Sequence, residues 1–274
     1  MRKRLVDLAN AGLPLSEILV IDGHAHMGPY WNFRIPFNGP AGMIRSMDAL
    51  GIDVACISPH LSIGPDAHRG NLAAIEAANS YPNRFVCAIS VNPNYPEEAR
   101  TQISLLSDPS VKAFKLHPSL HEYPADGDSY RIVYEAAARH RVPVMIHTWV
   151  GDQRCQPSMF SKLAKEFPET SFVLIHSGGV GKKIGEAIAV AKECENIYLD
   201  TTGSTTFRIV EKMVEEVGSD RILFGSDQPF IDPAAQVGKI VYAHIPEEDK
   251  VRILGLNAKR LLRLYPQPSA RVHC

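Results

Sequence analysis

Eight short apolar runs recur along the chain, separated by segments whose apolar residues repeat at helical spacing. The runs are EILVIDGHAH, VACISPH, RFVCAISVNP, VKAFKLHP, VPVMIHTW, SFVLIHSGG, NIYLDTTG and RILFGSDQP. Each has strand length, is rich in β-branched or aromatic residues, and stops at polar, Gly or Pro residues. Their near-continuous apolar character suits strands covered on both faces, as in a parallel sheet. The helical period appears in GNLAAIEAANSYP, YRIVYEAAARHR, PSMFSKLAKEFP, KIGEAIAVAKEC, TFRIVEKMVEEVG and KVRILGLNAKRLLRLYP. Eight strands alternating with helices within 274 residues predict an α/β fold, a (β/α)8 TIM barrel. A doubly wound open sheet is the structural alternative. No GxGxxG follows the first run, so that fold's commonest cofactor signal is missing.

With 45% hydrophobic residues the chain can bury one large core. It reads as a single domain over 1–274, with residues 1–17 as an N-terminal helical extension and no linker. The longest irregular piece is residues 27–42, MGPYWNFRIPFNGPAG. Lys and Arg number 29 against 30 Asp and Glu, so no basic excess points to nucleic acid. The five cysteines, Cys56, Cys87, Cys155, Cys194 and Cys274, are scattered and lack CxxC spacing. Three of them lie in or near apolar runs and read as small core residues, and the set does not read as a disulfide framework. No secretory leader and no membrane-spanning run is read, so the expected location is the cytoplasm.

In a barrel, chemistry gathers at the C-terminal ends of the strands. Here the first run ends in His24 and His26, the fourth in Lys115 and His117, the fifth in His147, the sixth in His176 and the eighth in Asp227. Five of the eleven histidines fall at such ends. Residues i and i+2 of a strand share a face, so His24 and His26 can converge on one ion across the small Ala25. His147 can add a third nitrogen and Asp227 an oxygen. That donor set suits zinc, and also iron, manganese or cobalt. Taken singly, each residue has a plainer reading: a lone His is more often a hydrogen-bonded core residue, and Asp227 can cap a helix or open a turn. The joint placement favours metal. His60 and His121 sit in loops near strand ends, where either can line a pocket.

DGHAH, KLHP, VMIHTW, LIHSGG, FGSDQPF and the closing ILGLNAKRLLRL together resemble the amidohydrolase superfamily. More narrowly, they resemble its amidohydrolase-related branch, which includes the aminocarboxymuconate-semialdehyde decarboxylase-like enzymes. The resemblance runs from about residue 18 to residue 264. It implies a distorted barrel with a metal at its mouth, and His24, His26 and His147 as ligands. It implies Asp227 as ligand and proton shuttle, and His176 as a second-metal ligand or catalytic residue. Many two-metal relatives bridge their ions with a carboxylated lysine on strand four, where Lys115 lies. Lys115 is read instead as a cation that pairs with a substrate carboxylate or a neighbouring acid. His117 is then a substrate contact, and one ion, taken as zinc, is expected rather than two.

A metal-bound water, acidified to a pKa of about 7, would make the site hydrolytic. Hydrolysis of an amide, ester, lactone or related carboxyl-derived bond is the leading expectation, from the breadth of the superfamily. Non-oxidative decarboxylation of an aromatic or unsaturated acid is the alternative, and hydratase-like chemistry a lesser one. Tyr30, Trp31, Phe33, Arg34 and Phe37 after strand one, with Trp149 and Arg154 after strand five, suit a small aromatic or unsaturated carboxylate. The same aromatics can equally pack the barrel lip or an oligomer contact, and a homodimer is left open. Ser177, Gly178 and Gly179 predict a tight turn whose N–H groups can face an anion. Two rivals stand: a metal-binding barrel without catalysis, and a metal-free barrel in which Lys115 forms a Schiff base.

Overall fold

The structure, a computed structural model, describes residues 4–179 and 184–264. Its eight strands are β1 (Ile21–Met27), β2 (Val54–Pro59), β3 (Phe85–Ile89), β4 (Val111–Leu116), β5 (Val144–His147), β6 (Phe172–Ile175), β7 (Ile197–Asp200) and β8 (Ile222–Leu223). All neighbours pair in parallel, and the strand order is the chain order. Helices cover the outside, among them Ala67–Ser80, Asp128–His140 and Ile209–Val217. This is the (β/α)8 barrel that the alternating periods predict, and the open doubly wound sheet falls away.

The alternation within each strand sorts side chains into two layers. Ile57, Cys87, Phe114, Ile146 and Leu174 face the helices in the larger core. Ile21, Cys56, Val86, Ala113, Met145, Val173 and Leu223 fill the barrel interior. Ala113 and Met145 point inward, so Lys115 and His147, two residues further on, reach the mouth on the same face. Cys56, Cys87, Cys155 and Cys194 are buried free thiols. Cys274 lies outside the described residues.

The barrel closes irregularly between β8 and β1. β8 is two residues long, and the seam is made by Gly23 N–H to Phe224 O (2.9 Å) and Asp227 N–H to His24 O (2.8 Å). The closing amphipathic segment, expected as one helix, is split. A π-helical stretch, Arg252–Leu256, lies between helical turns at Glu247–Val251 and Asn257–Leu261. The wider turn frees the Ile253 carbonyl, which accepts the Phe224 N–H at 3.0 Å just beyond β8. Near the N-terminus, helix Leu5–Asn10 buries Leu5 and Leu8. It is tied down by Leu5 N–H to Glu247 Oε1 (2.6 Å) and by Tyr242 OH to Asn10 Oδ1 (2.8 Å). Among the described residues, no helix is long and apolar enough to cross a membrane.

Candidate metal centre

His24 and His26 project from the end of β1, and both are buried. Each ring has its Nδ1 committed. His26 Nδ1 lies 2.7 Å from the Ser58 carbonyl oxygen, which can only accept, so Nδ1 carries the hydrogen. His24 Nδ1 faces Thr202 Oγ1 at 3.3 Å and Asp200 Oδ2 at 3.4 Å, and the Thr202 hydroxyl itself donates to Asp200 Oδ1 (2.8 Å). Both rings therefore turn Nε2 lone pairs inward. The two Nε2 atoms are 3.2 Å apart, and Asp227 Oδ1 lies 3.1 Å from His26 Nε2 and 3.5 Å from His24 Nε2.

Three acceptors packed this closely in a buried place call for positive charge among them; Lys115 Nζ, 2.8 Å from His24 Nε2, supplies part of it, and a metal ion would supply the rest. Donors bonded at 2.1 Å to one tetrahedral ion are separated by roughly 3.4 Å, and octahedral neighbours by roughly 3.0 Å. Two of the three measured separations fall in that range, and the third, 3.5 Å, lies just above it. The donor set therefore fits a divalent metal without selecting which one. Asp200 lies behind it, holding His24 Nδ1 and accepting the His176 backbone N–H at 3.0 Å, the kind of support that orients a metal-binding imidazole. His24, His176 and Asp200 make a second group of converging donors that shares His24.

Asp227 adopts φ = 60° and His176 φ = 63°, a left-handed backbone that costs side-chain-bearing residues energy. The surroundings of Asp227 fix it there. Ser226 and Gln228, on either side, both hold the buried carboxylate of Asp22. Ser226 N–H reaches Oδ1 (2.9 Å), while the Ser226 hydroxyl and Gln228 Nε2 (2.9 Å) reach Oδ2. Gln228 O in turn accepts the His26 N–H at 2.7 Å. Burial raises the Asp22 carboxyl above the usual range, opposed by these donors. Burial works the same way on Asp227, but the neighbouring His26, His176 and Lys115 outweigh it and hold Asp227 at about 2. Gly225 lets this turn close. A Cβ there would lie 2.5 Å from Asp200 Oδ1 and 2.8 Å from His24 Cβ.

Lys115 comes up from β4 fully buried, its Nζ 2.8 Å from His24 Nε2. Among the described residues this is its one hydrogen-bond partner. Burial pushes Lys115 down to about 8, against the pull of Asp227 and Asp200. His147 stands apart from both converging groups. Its ring stacks on His117 (centroids 3.9 Å) and lies 5.0 Å from His176. His117 also caps the short turn Pro118–His121, its Nδ1 accepting the Leu120 N–H at 3.3 Å.

Aromatic side chains flank the donors on two sides. Tyr30 packs on Trp31 (4.1 Å), Phe33 (5.4 Å) and Phe230 (5.2 Å). Trp31 and Phe33 remain about half exposed, at 51% and 49%, so they pack the lip and also face outward. Trp149 lies parallel to His147 and edge-on to His176, both at 6.2 Å. Arg34 is exposed on the loop. Arg154 is spent on Asp152, through Nε to Oδ1 (2.8 Å) and Nη2 to Oδ2 (3.0 Å). The turn after β6 forms as expected, but two of its N–H groups are taken: Gly178 donates to Thr148 Oγ1 and Gly179 to His176 O, both at 2.9 Å. They have nothing left for an anion.

Asp22, Asp200, Thr202 and Phe230 were not singled out from the sequence. The rule used for the other strands, applied to NIYLDTTG, would have flagged Asp200 as the last residue of β7. His60 follows β2 directly. Its ring stacks on His26 (4.9 Å), its Nδ1 faces Gly28 O at 2.9 Å, and burial pushes it down to about 4.

Over 72 residues the chain is 38% identical to the gamma-resorcylate decarboxylase of Rhizobium sp. (strain MTP-10005), covering 26% of this chain and 21% of that one. The chain thus matches about a fifth of that relative's length. Among solved structures, 2,6-dihydroxybenzoate decarboxylase from Rhizobium superposes with a TM-score of 0.69 at 18% identity, covering 90% of this chain and 99% of the other. A 5-carboxyvanillate decarboxylase mutant from Novosphingobium aromaticivorans, with bound manganese and a substituted nitrobenzoic acid, gives 0.69 at 15%, covering 91% and 98%. Hydrolysis as the leading expectation is overturned by these relatives, which are decarboxylases. The superfamily's breadth was a poor guide, because the parts that hold a metal do not fix the bond that breaks. The sequence pattern of the amidohydrolase family spans residues 21–264, and with the barrel and its donor set in place the chain belongs to that family.

Proposed function

We propose that the protein is a metal-dependent, non-oxidative decarboxylase of a small aromatic carboxylic acid. The observation that carries this reading is a buried cluster of three metal-binding atoms, on His24, His26 and Asp227, bordered by aromatic side chains on two sides. A flat ring suits such walls, and a carboxylate on it suits a cation held at the cluster. The decarboxylase relatives, partial in length or low in identity, point the same way.

In this reading His24, His26 and Asp227 hold the ion, and His147 is available from β5 as a further nitrogen. When bound, the ion supplies positive charge for the substrate's carboxylate and for charge that develops on its ring. Tyr30, Trp31 and Trp149 hold the ring flat, and Arg34 at the lip draws in the anion. Asp227 takes up one proton from solvent and delivers it to the ring carbon that bears the carboxylate, so that each turnover consumes one proton. The C–C bond then breaks, carbon dioxide leaves, and the bonding electrons restore the aromatic ring. His176 steadies the carboxylate, while Lys115 and His117 line the β4 side. A single ion is favoured because the two converging donor groups share His24. Zinc and manganese both suit two imidazoles and a carboxylate.

The test is incubation of the zinc- and manganese-loaded protein with 2,6-dihydroxybenzoate and 5-carboxyvanillate, following bicarbonate and the decarboxylated phenol. Stoichiometric release of both supports the reading. A panel of aromatic acids that all return unchanged removes it.

A further inference from the structure

The N-terminal face of the barrel carries a cavity of about 230 Å³. Ser171, which leads into β6, and Tyr198 of β7 line it, with Arg141, Glu169, Arg260 and Arg263 around them. Val173, two residues above Ser171 on the same face, belongs to the packed barrel interior, and Asp200, two above Tyr198, reaches the metal centre. The cavity and the centre therefore lie at opposite ends of the barrel. Three arginines against one glutamate leave the cavity net positive. Elsewhere on the surface Arg84, Arg131, Arg154 and Arg252 each pair with a carboxylate. Among the described residues the Arg141 and Arg263 side chains have no hydrogen bond or ion pair, and the Glu169 carboxylate and the Ser171 and Tyr198 hydroxyls have none either. Arg260 gives Nη2 to the Asp220 carbonyl at 2.6 Å and adds its charge. Arg141 and Arg263 both adopt φ = 54°, in the left-handed turns that end helix Asp128–His140 and helical turn Asn257–Leu261. Glycine is the usual residue there. A cation is favoured at a helix C-terminus, which accounts for one arginine on each turn. It does not account for two on one cavity with the acid beside them left unpaired.

We propose that this cavity binds a phosphate group, held by Arg141 and Arg263 with Arg260 supplying a third charge. The planar fork of arginine matches phosphate oxygens in pairs. A phosphate also offers oxygens on several sides, which suits donors from separate segments: the turn after Asp128–His140, the start of β6, β7 and the closing turn. A carboxylate has two oxygens in one plane and leaves part of that set unpaired. Glu169 can only accept, so it suits a hydroxyl beside the phosphate and repels a second anionic group. The ligand class is a small, hydroxyl-bearing phosphate monoester, and free phosphate shares its headgroup chemistry. The site is separate from the proposed decarboxylation and does not rest on it.

The experiment is calorimetric titration of the manganese-loaded protein, at low ionic strength, with glycerol 3-phosphate, inorganic phosphate and acetate, for wild type, Arg141→Gln, Arg263→Gln and Arg100→Gln. Arg100, on helix Pro96–Ser104, is exposed and does not line the cavity, so its variant removes the same charge elsewhere. Wild type is expected to bind glycerol 3-phosphate with a Kd of about 1 mM or tighter, and acetate at least about tenfold more weakly. Arg141→Gln and Arg263→Gln should each weaken glycerol 3-phosphate binding by about tenfold or more, through loss of charge-assisted hydrogen bonds, and Arg100→Gln by less than about twofold. Tighter binding of glycerol 3-phosphate than of inorganic phosphate assigns the ester as ligand, and equal binding assigns the phosphate group alone; both support the site. Thermal melts confirm that each variant is folded. The two arginines stand on separate helical turns, so either variant carries the test if the other fails to fold. Binding that the Arg141 and Arg263 variants leave unchanged places the phosphate elsewhere, as on the manganese, and overturns the proposal. An equal loss in Arg100→Gln, which marks a general charge effect, overturns it too, and so does the absence of saturable binding.

Discussion

Asp22 grips Ser226 through both carboxylate oxygens, Oδ1 taking the backbone N–H at 2.9 Å and Oδ2 the hydroxyl. With Gln228 Nε2 on the same carboxylate, the two neighbours of Asp227 are held to β1, and Asp227 is kept at φ = 60° facing His26. Asp22→Asn replaces one acceptor with an N–H₂ group that faces donors. It is expected to lower stability by about 1–3 kcal/mol and to weaken metal binding by about tenfold or more. Urea unfolding and a metal titration check the two effects separately. An unchanged metal affinity would show that the clamp supports the barrel seam alone.

Asp227→Asn keeps the shape of the side chain and removes its charge and its capacity to carry a proton. Turnover of any aromatic acid that the wild type decarboxylates should fall by about a hundredfold or more. The fold should persist, as read by circular dichroism. Rates within a fewfold of wild type would take Asp227 out of the proton path.

Gly225 lies just past β8, against His24 and Asp200, with no room for a methyl group. Gly225→Ala should cost about 1–3 kcal/mol through overpacking and displace His24, Asp200 or both. The check is a melting curve together with metal content. A variant as stable and as fully loaded as wild type would mean that the turn relaxes freely.

Metal removal should destabilise the protein, because the three clustered acceptors lose the cation that separates their charges. At a free metal concentration about a hundredfold above Kd, the holo form should gain roughly 2.7 kcal/mol over the chelated form. Calorimetric melts with and without chelator read this directly. Identical melting temperatures would argue against an ion bound by folded protein at this site.

Much of the architecture was legible in the sequence because a barrel strand covered on both faces leaves a distinct apolar run, and each run stops where the mouth begins. That rule located His24, His26, Lys115, His147, His176 and Asp227 at the mouth. It could not place them relative to one another. His147 stacks on His117 rather than joining His24, a matter of rotamer and strand tilt that spacing does not record. Arg154 looked available to a substrate and is instead taken by Asp152 two residues away. Asp22 and Asp200 escaped notice because a single carboxylate beside an apolar run looks like any turn or cap residue until its long-range partners are known. The reaction was harder still to read, since a cluster of imidazoles and a carboxylate serves bond hydrolysis and loss of carbon dioxide alike.

The central claim is that His24, His26 and Asp227 gather around one divalent ion. Crystals grown with manganese and measured at a wavelength where it scatters anomalously test this directly. The account predicts one strong anomalous peak within about 2.3 Å of His24 Nε2, His26 Nε2 and a carboxylate oxygen of Asp227. A peak bound elsewhere, or none at a concentration that saturates the protein in solution, would contradict it.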